Sequence, residues 1–195
     1  MNILVILGHP DRSSLSGALA EAFAAGACEA GATVKLLRLG ELEFDPILWH
    51  GYRGGQPLEA DIQQAQEDIL QADHLVWVFP IWWGGLPALL KGFIDRVFLP
   101  GFAFRYRRGS SLWDRLLAGR KATVLATMDS PVWYYRWVQH RPAYHQLRHS
   151  ILGFSGITPM RWYGFGPVRT ASQAQRETWI EQARVRGIKV AANGR

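Results

Sequence analysis

Short apolar runs alternate along this chain with stretches of helical spacing. Asn2–Leu7 is a continuous β-type run, and Ser14–Ala30 is alanine-rich with Leu15, Leu19, Ala22 and Phe23 at helical intervals. Thr33–Leu39 predicts a second strand, Leu58–Gln71 a helix with a polar face, and His74–Ile81 a strong third strand. Pro87 then sits near a helix start, where its missing N–H does no harm. Around it Leu86, Leu89, Leu90, Phe93, Ile94, Val97 and Phe98 keep to one helical face, while Lys91 and Asp95 lie one turn apart on the other. Lys121–Thr127 predicts a fourth strand, a helix falls within Ala143–Leu152, and Met160–Phe165 predicts a fifth strand. Ser172-Gln173-Ala174-Gln175 has the capping-box pattern and opens a last helix running to about Val190.

Strands alternating with helices predict an α/β fold with a parallel sheet covered on both faces. Five strands suggest the doubly wound order 2-1-3-4-5. No internal repeat, low-complexity tract or linker divides the chain, so residues 1–195 read as one domain. Phe44–Pro57, with Gly51, Gly54, Gly55 and two prolines, reads as a surface loop.

Composition narrows the class. Apolar residues make up 48% and charged residues 19%, which excludes intrinsic disorder. No apolar run approaches the ~20 residues of a spanning helix. The first residues carry no basic region before their apolar stretch, so they read as a buried strand and not as a signal peptide. Cys28 is the only cysteine. No disulfide can form within the chain, and a reducing cytoplasm is the expected location. The net charge of +6 is unevenly spread: residues 1–97 hold 6 Lys/Arg against 12 Asp/Glu, residues 98–195 hold 16 against 4. A basic half suits a phosphorylated ligand, a nucleic acid or a membrane surface, and equally a solvated arginine-rich surface.

In an open parallel sheet, ligands bind beyond the carboxyl ends of the strands. Three segments gather there. Gly8-His9-Pro10-Asp11-Arg12-Ser13-Ser14-Leu15-Ser16 leads into a helix, where hydroxyls and free N–H groups suit a phosphate; a serine that only caps the helix reads the same way. Pro80-Ile81-Trp82-Trp83-Gly84-Gly85-Leu86-Pro87 sets two indoles beside two glycines. That pairing suits a flat ring lying against backbone, or indoles that cover the core or an interface. Thr127 to Tyr135, with Asp129, Tyr134, Trp137 and His140 in or just after it, offers donors for developing negative charge, or an aromatic lid. The phosphate-loop lysine pattern, G-x-G-x-x-G and G-x-S-x-G are absent. His140, His145 and His149 have helical spacing, but Pro142 interrupts them and no carboxylate accompanies them, so no metal site is expected.

Taken together these segments resemble the NAD(P)H:quinone oxidoreductase family, the DT-diaphorase-like branch of the flavodoxin-like fold. The resemblance runs from Met1 to about Phe104 and is looser beyond. Its longest stretch is Phe79 to Phe98, similar to the family's segment for the flavin ring and the helix after it. The resemblance implies a flavodoxin-like doubly wound sheet, a bound flavin (FAD or FMN), ping-pong hydride transfer from NAD(P)H to a quinone, and a homodimer. It implies that His9, Ser14, Leu15 and Ser16 hold the phosphate end. Pro80, Ile81, Trp82, Trp83 and Gly84 would meet the ring, with Thr127 and Asp129 beside them. Tyr134 and His140 keep the six-residue spacing of the family's catalytic tyrosine and histidine. Two departures stand out: Trp82 occupies a position often polar, and Thr127-Met128-Asp129-Ser130 replaces Thr-Thr-Gly-Gly.

Two other classes compete. An ancillary flavoprotein of potassium-efflux systems shares this fold, which makes a membrane transporter an alternative partner. Arg105, Arg107 and Arg108 interleave with Phe102, Phe104 and Tyr106, a pattern suited to stacking on bases, but the segment is short and follows the flavin-like helix, so no nucleic-acid partner is expected.

Overall fold

The computed structural model describes residues 1–53 and 55–194; Gly54 of the expected loop and Arg195 at the end of the expected domain lie outside them. Five parallel strands form the sheet: β1 (Asn2–Leu7), β2 (Thr33–Arg38), β3 (His74–Pro80), β6 (Lys121–Thr127) and β7 (Met160–Phe165). Their spatial order is β2-β1-β3-β6-β7, which is 2-1-3-4-5 when only these five are counted. A short antiparallel hairpin, β4 (Phe104–Tyr106) and β5 (Trp113–Arg115), stands apart from it. The helices are α1 (Leu15–Glu29), α2 (Ala60–Gln71), α3 (Ala88–Val97), α4 (Val132–Trp137), α5 (Pro142–His145) and α6 (Gln173–Ala192). A π-helical stretch, Gln146–Gly153, continues α5.

Alternation along each strand divides the core in two. Leu4 and Ile6 of β1 join Leu75, Trp77 and Phe79 of β3 on the face covered by α2 and α3. Ile3, Val5 and Leu7 join Val76 and Val78 on the face covered by α1 and α6. All are buried, so both faces of the central strands are apolar, as a doubly covered parallel sheet requires. Each such side chain contributes roughly 1.5–3 kcal/mol on burial. Among the described residues, no helix is long and apolar enough to cross a membrane.

The expected elements are present, with shifted ends. The second strand stops at Arg38 because Leu39 begins a 3-10 turn, Leu39–Glu41. The third stops at Pro80, and α2 starts at Ala60. Pro87 stands at the N-cap of α3, at the helix start as expected. Pro142 opens α5, and His140 precedes it with φ 56°, so the three histidines share no helical face. The hairpin and α4 lie in segments the periodicity did not mark. The hairpin also accounts for the aromatic–arginine segment. Phe104 is buried against Phe154, and Arg107 pairs with Asp114 at 2.8 Å.

One buried side chain ties Asp45, Pro57 and Glu59 of the loop before α2 together. Arg96 of α3 is 0% exposed. Its Nη1 donates to the Asp45 carbonyl (2.8 Å) and its Nη2 to the Pro57 carbonyl (2.8 Å) and Glu59 Oε2 (2.8 Å). A cation buried so deeply persists because a carboxylate and two carbonyls meet its Nη1 and Nη2 groups, while its Nε has no partner among the described residues.

Candidate functional site

An open cleft of about 200 Å³ lies beyond the carboxyl ends of β1, β3 and β6. Its first wall is the loop before α1. Gly8 N–H donates to Val78 O (2.8 Å), which extends the β1–β3 pairing into the loop. Asp11 N–H donates to His9 Nδ1 (2.9 Å), and Ser13 N–H donates to Asp11 Oδ1 (2.8 Å). The chain then folds so tightly onto the helix that a Cβ at position 17 would collide with the Arg12 carbonyl, hence Gly17. Ser14 caps α1, its Oγ accepting from Gly17 N–H at 3.2 Å. That leaves the Leu15 and Ser16 N–H groups without intrahelical acceptors at the positive end of the helix. Burial holds the His9 imidazole below its ordinary pKa. The Asp11 N–H on Nδ1 leaves Nε2 as its donor.

The second wall is Pro80, Ile81 and Trp82. Ile81 N–H donates to Thr127 O (2.7 Å), and the Trp82 ring meets His9 edge-on at 5.5 Å. Beyond it the chain reverses. Trp82 N–H donates to Gly85 O and Gly85 N–H to Trp82 O, with Trp83 at φ 51° and Gly84 at φ 76° between them. Two central residues of positive φ are the pattern of a type I′ turn, which suits Gly84 and strains Trp83. Trp83 is fully exposed.

The third wall is Thr127, Met128 and Asp129, closed by Val168 from the loop after β7. The buried Ser16 and Thr127 hydroxyls meet at 3.0 Å and tie the first wall to the third. Asp129 Oδ1 accepts from Arg169 N–H at 3.0 Å.

Nine of the residues expected to bind a cofactor therefore line one cleft: His9, Ser14, Leu15, Ser16, Pro80, Ile81, Trp82, Thr127 and Asp129. Trp83 and Gly84 form the turn at its edge and do not line it. Tyr134 and His140 do not line it either: Tyr134 lies half-exposed on α4 against Trp133, and His140 stands in the left-handed bend after that helix. Tyr135 plays a different part. It is 1% exposed, and burial pushes its phenol up to about 12. Its hydroxyl accepts from Ala143 N–H (3.1 Å) and makes a long contact, 3.4 Å, to Gly84 O. Met128 and Val168 were missed as lining residues. The signal for Val168 was topological: β7 neighbours β6, so the loop after β7 must open on the same rim.

A family model described as flavodoxin-like fold matches residues 1–186. A protein of Haemophilus influenzae named "uncharacterized NAD(P)H oxidoreductase" is 33% identical over 188 residues, 94% of this chain and 92% of that one. NAD(P)H dehydrogenase (quinone) 1 of Cavia porcellus is 30% identical over 144 residues, 63% of this chain and 51% of that protein. Among solved structures, the NAD(P)H:quinone oxidoreductase from Methanothermobacter marburgensis superposes with a TM-score of 0.81 at 26% identity, covering 97% of this chain and 96% of that one. With the strand order and the cleft at the sheet's carboxyl rim, these matches place the chain in the flavodoxin-like fold family, among relatives named as NAD(P)H oxidoreductases.

Proposed function

We propose that this protein is a flavin-dependent NAD(P)H oxidoreductase that passes hydride from NAD(P)H through a bound flavin to a quinone-like acceptor. The observation that carries the reading is a single cleft joining an open helix N-terminus, serine hydroxyls and an aromatic strand end. The relatives named as oxidoreductases support turnover over an ancillary role in potassium efflux.

The donor set fits the group. The Leu15 and Ser16 N–H groups, the Ser14 hydroxyl and His9 Nε2–H are neutral donors at a helix N-terminus, the arrangement that holds a phosphate. Ile81, Trp82 and the 82–85 turn offer apolar surface and backbone edge for a ring. Those phosphate and ring contacts are common to FMN and FAD; the mass of the molecule released on denaturation distinguishes them.

A bound flavin supplies the hydride-accepting and hydride-donating chemistry. The chain's part is placement. The first wall fixes the anionic end, and the Ser16–Thr127 hydroxyl pair keeps the first and third walls in register. Trp82 excludes water from the ring side. Tyr134 and His140 are proposed to donate to the acceptor oxygen from outside this chain's own cleft, which fits a site shared by two copies. The cleft supports that arrangement: at about 200 Å³ it is smaller than the ~300–1,000 Å³ of ordinary ligand pockets, and it is open.

The test is direct. Purified protein is expected to be yellow, or to become so with FMN or FAD, and NAD(P)H is expected to bleach the colour. A protein that takes up neither flavin would sink the reading.

A further inference from the structure

Among the described residues, the cleft is lined by one acidic side chain and by no lysine or arginine. The rest of its lining is hydroxyl, apolar or His9. Burial lowers the pKa of His9, and the Asp11 N–H occupies its Nδ1. The nearest cation on the first wall, Arg12, is mostly exposed and reaches Glu41 at 3.7 Å instead. Asp129 is thus uncompensated by any charged neighbour in the lining.

Its position is fixed. Met128 N–H donates to Phe165 O (2.9 Å), Val168 N–H to Met128 O (3.0 Å) and Arg169 N–H to Asp129 Oδ1 (3.0 Å). Among the described residues Oδ2 accepts no hydrogen bond. A carboxylate beside a bound phosphate would oppose its binding, whereas the uncharged ring tolerates it. Residue 127 is also joined to the ring side, through Ile81 N–H.

We infer that Asp129 sets a fixed negative charge beside the flavin ring and so makes the bound flavin harder to reduce. The inference rests on the flavin reading above. Hydride transfer takes two electrons and one proton from NAD(P)H, leaving NAD(P)⁺, and a second proton from water keeps the reduced ring neutral. Without that second proton the ring is an anion. A neighbouring carboxylate opposes the gain of electron density, because Coulomb terms beside the protein wall are stronger than in bulk water. Asp129 therefore disfavours reduction overall and favours the fully protonated product. Its electrostatic consequence is a protein that gives up hydride to its acceptor more readily than it keeps it.

The test compares wild type with Asp129→Asn, which retains an oxygen for the Arg169 N–H and removes the charge. Asp129→Ser serves as a second neutral variant, and Asp129→Glu restores the charge. Each is reconstituted with FMN and with FAD, its fold checked by circular dichroism, and its two-electron midpoint potential measured by dye equilibration. The neutral variants are expected to favour the reduced flavin tenfold or more, a rise of about 30 mV or more. The Glu variant is expected to stay near wild type. Neutral variants that bind flavin with a potential unchanged within threefold in that equilibrium would overturn the inference alone. Tighter flavin binding with an unchanged potential would place the carboxyl at the phosphate, and overturns it too. A wild-type chain that binds neither flavin would remove both this inference and the reading beneath it.

Discussion

Trp83 holds a left-handed backbone, φ 51°, with its ring wholly in solvent. An L-residue in that region costs about 1–2 kcal/mol, and here no buried contact offsets it. Glycine relieves the strain at the expense of unfolded-state entropy, about 0.5–1 kcal/mol. Trp83→Gly is therefore expected to leave stability unchanged or to raise it by about 0.5 kcal/mol in urea melts. The same variant should lose more than tenfold in NAD(P)H-driven turnover, because strain without a packing return points to a contact made outside the folded chain. Destabilisation beyond about 1 kcal/mol would show that the indole packs after all. The neighbouring residues set a contrast. Trp82 packs on His9 within the cleft and Tyr135 is interred, so three aromatic residues near one turn have three different roles that side-chain identity alone does not separate.

At the scale of elements, Arg96 is the tie between Asp45, Pro57 and Glu59. Arg96→Ala removes the donors for two carbonyls and leaves Glu59 with the Asp45 N–H but without its cation. The expected cost is about 3 kcal/mol, with faster protease cleavage within residues 46–57; a loss under about 1 kcal/mol would contradict the clamp. The central strands β1, β3 and β6 were legible because each carries a near-continuous apolar run, β2 and β7 because apolar residues predominate in short runs, α1 and α6 because a serine cap opens them, and α3 because its apolar residues keep helical spacing. The hairpin and α4 were not. Phe104–Tyr106 and Trp113–Arg115 are three-residue strands, too short to show a period, and Val132–Trp137 is six residues dense in aromatics on every side. The site followed the same division. Residues on strand ends and the helix N-terminus could be placed from topology. Trp-Gly is not a dipeptide that announces a type I′ turn, so the reversal at 82–85 became visible only through its two positive φ values.

At the scale of the whole molecule, one rim concentrates exposed aromatic surface. Trp83 on the turn, with Trp133, Tyr134 and Trp137 on α4, present large rings to solvent. A concentration of exposed aromatic rings of that kind suits an interface. The flavin-loaded protein is expected to sediment at twice the mass of one chain. Changing Trp133 and Trp137 together to Ser is expected to give single chains with weakened flavin binding, whereas a wild-type protein that stays single would rule out the shared site. The basic second half meets this rim through Arg136 and Arg141, whose guanidinium groups lie over Trp137 and Tyr144 at 4.8 Å and 4.4 Å. One oxygen at the rim links more than its own side chain. The Tyr135 hydroxyl sits between the Gly84 carbonyl and the Ala143 amide, so the turn beside the ring and the start of α5 share a single fastener. A shift of Tyr135 is therefore felt at both places at once, in the reversal at 82–85 and at the first residues of α5.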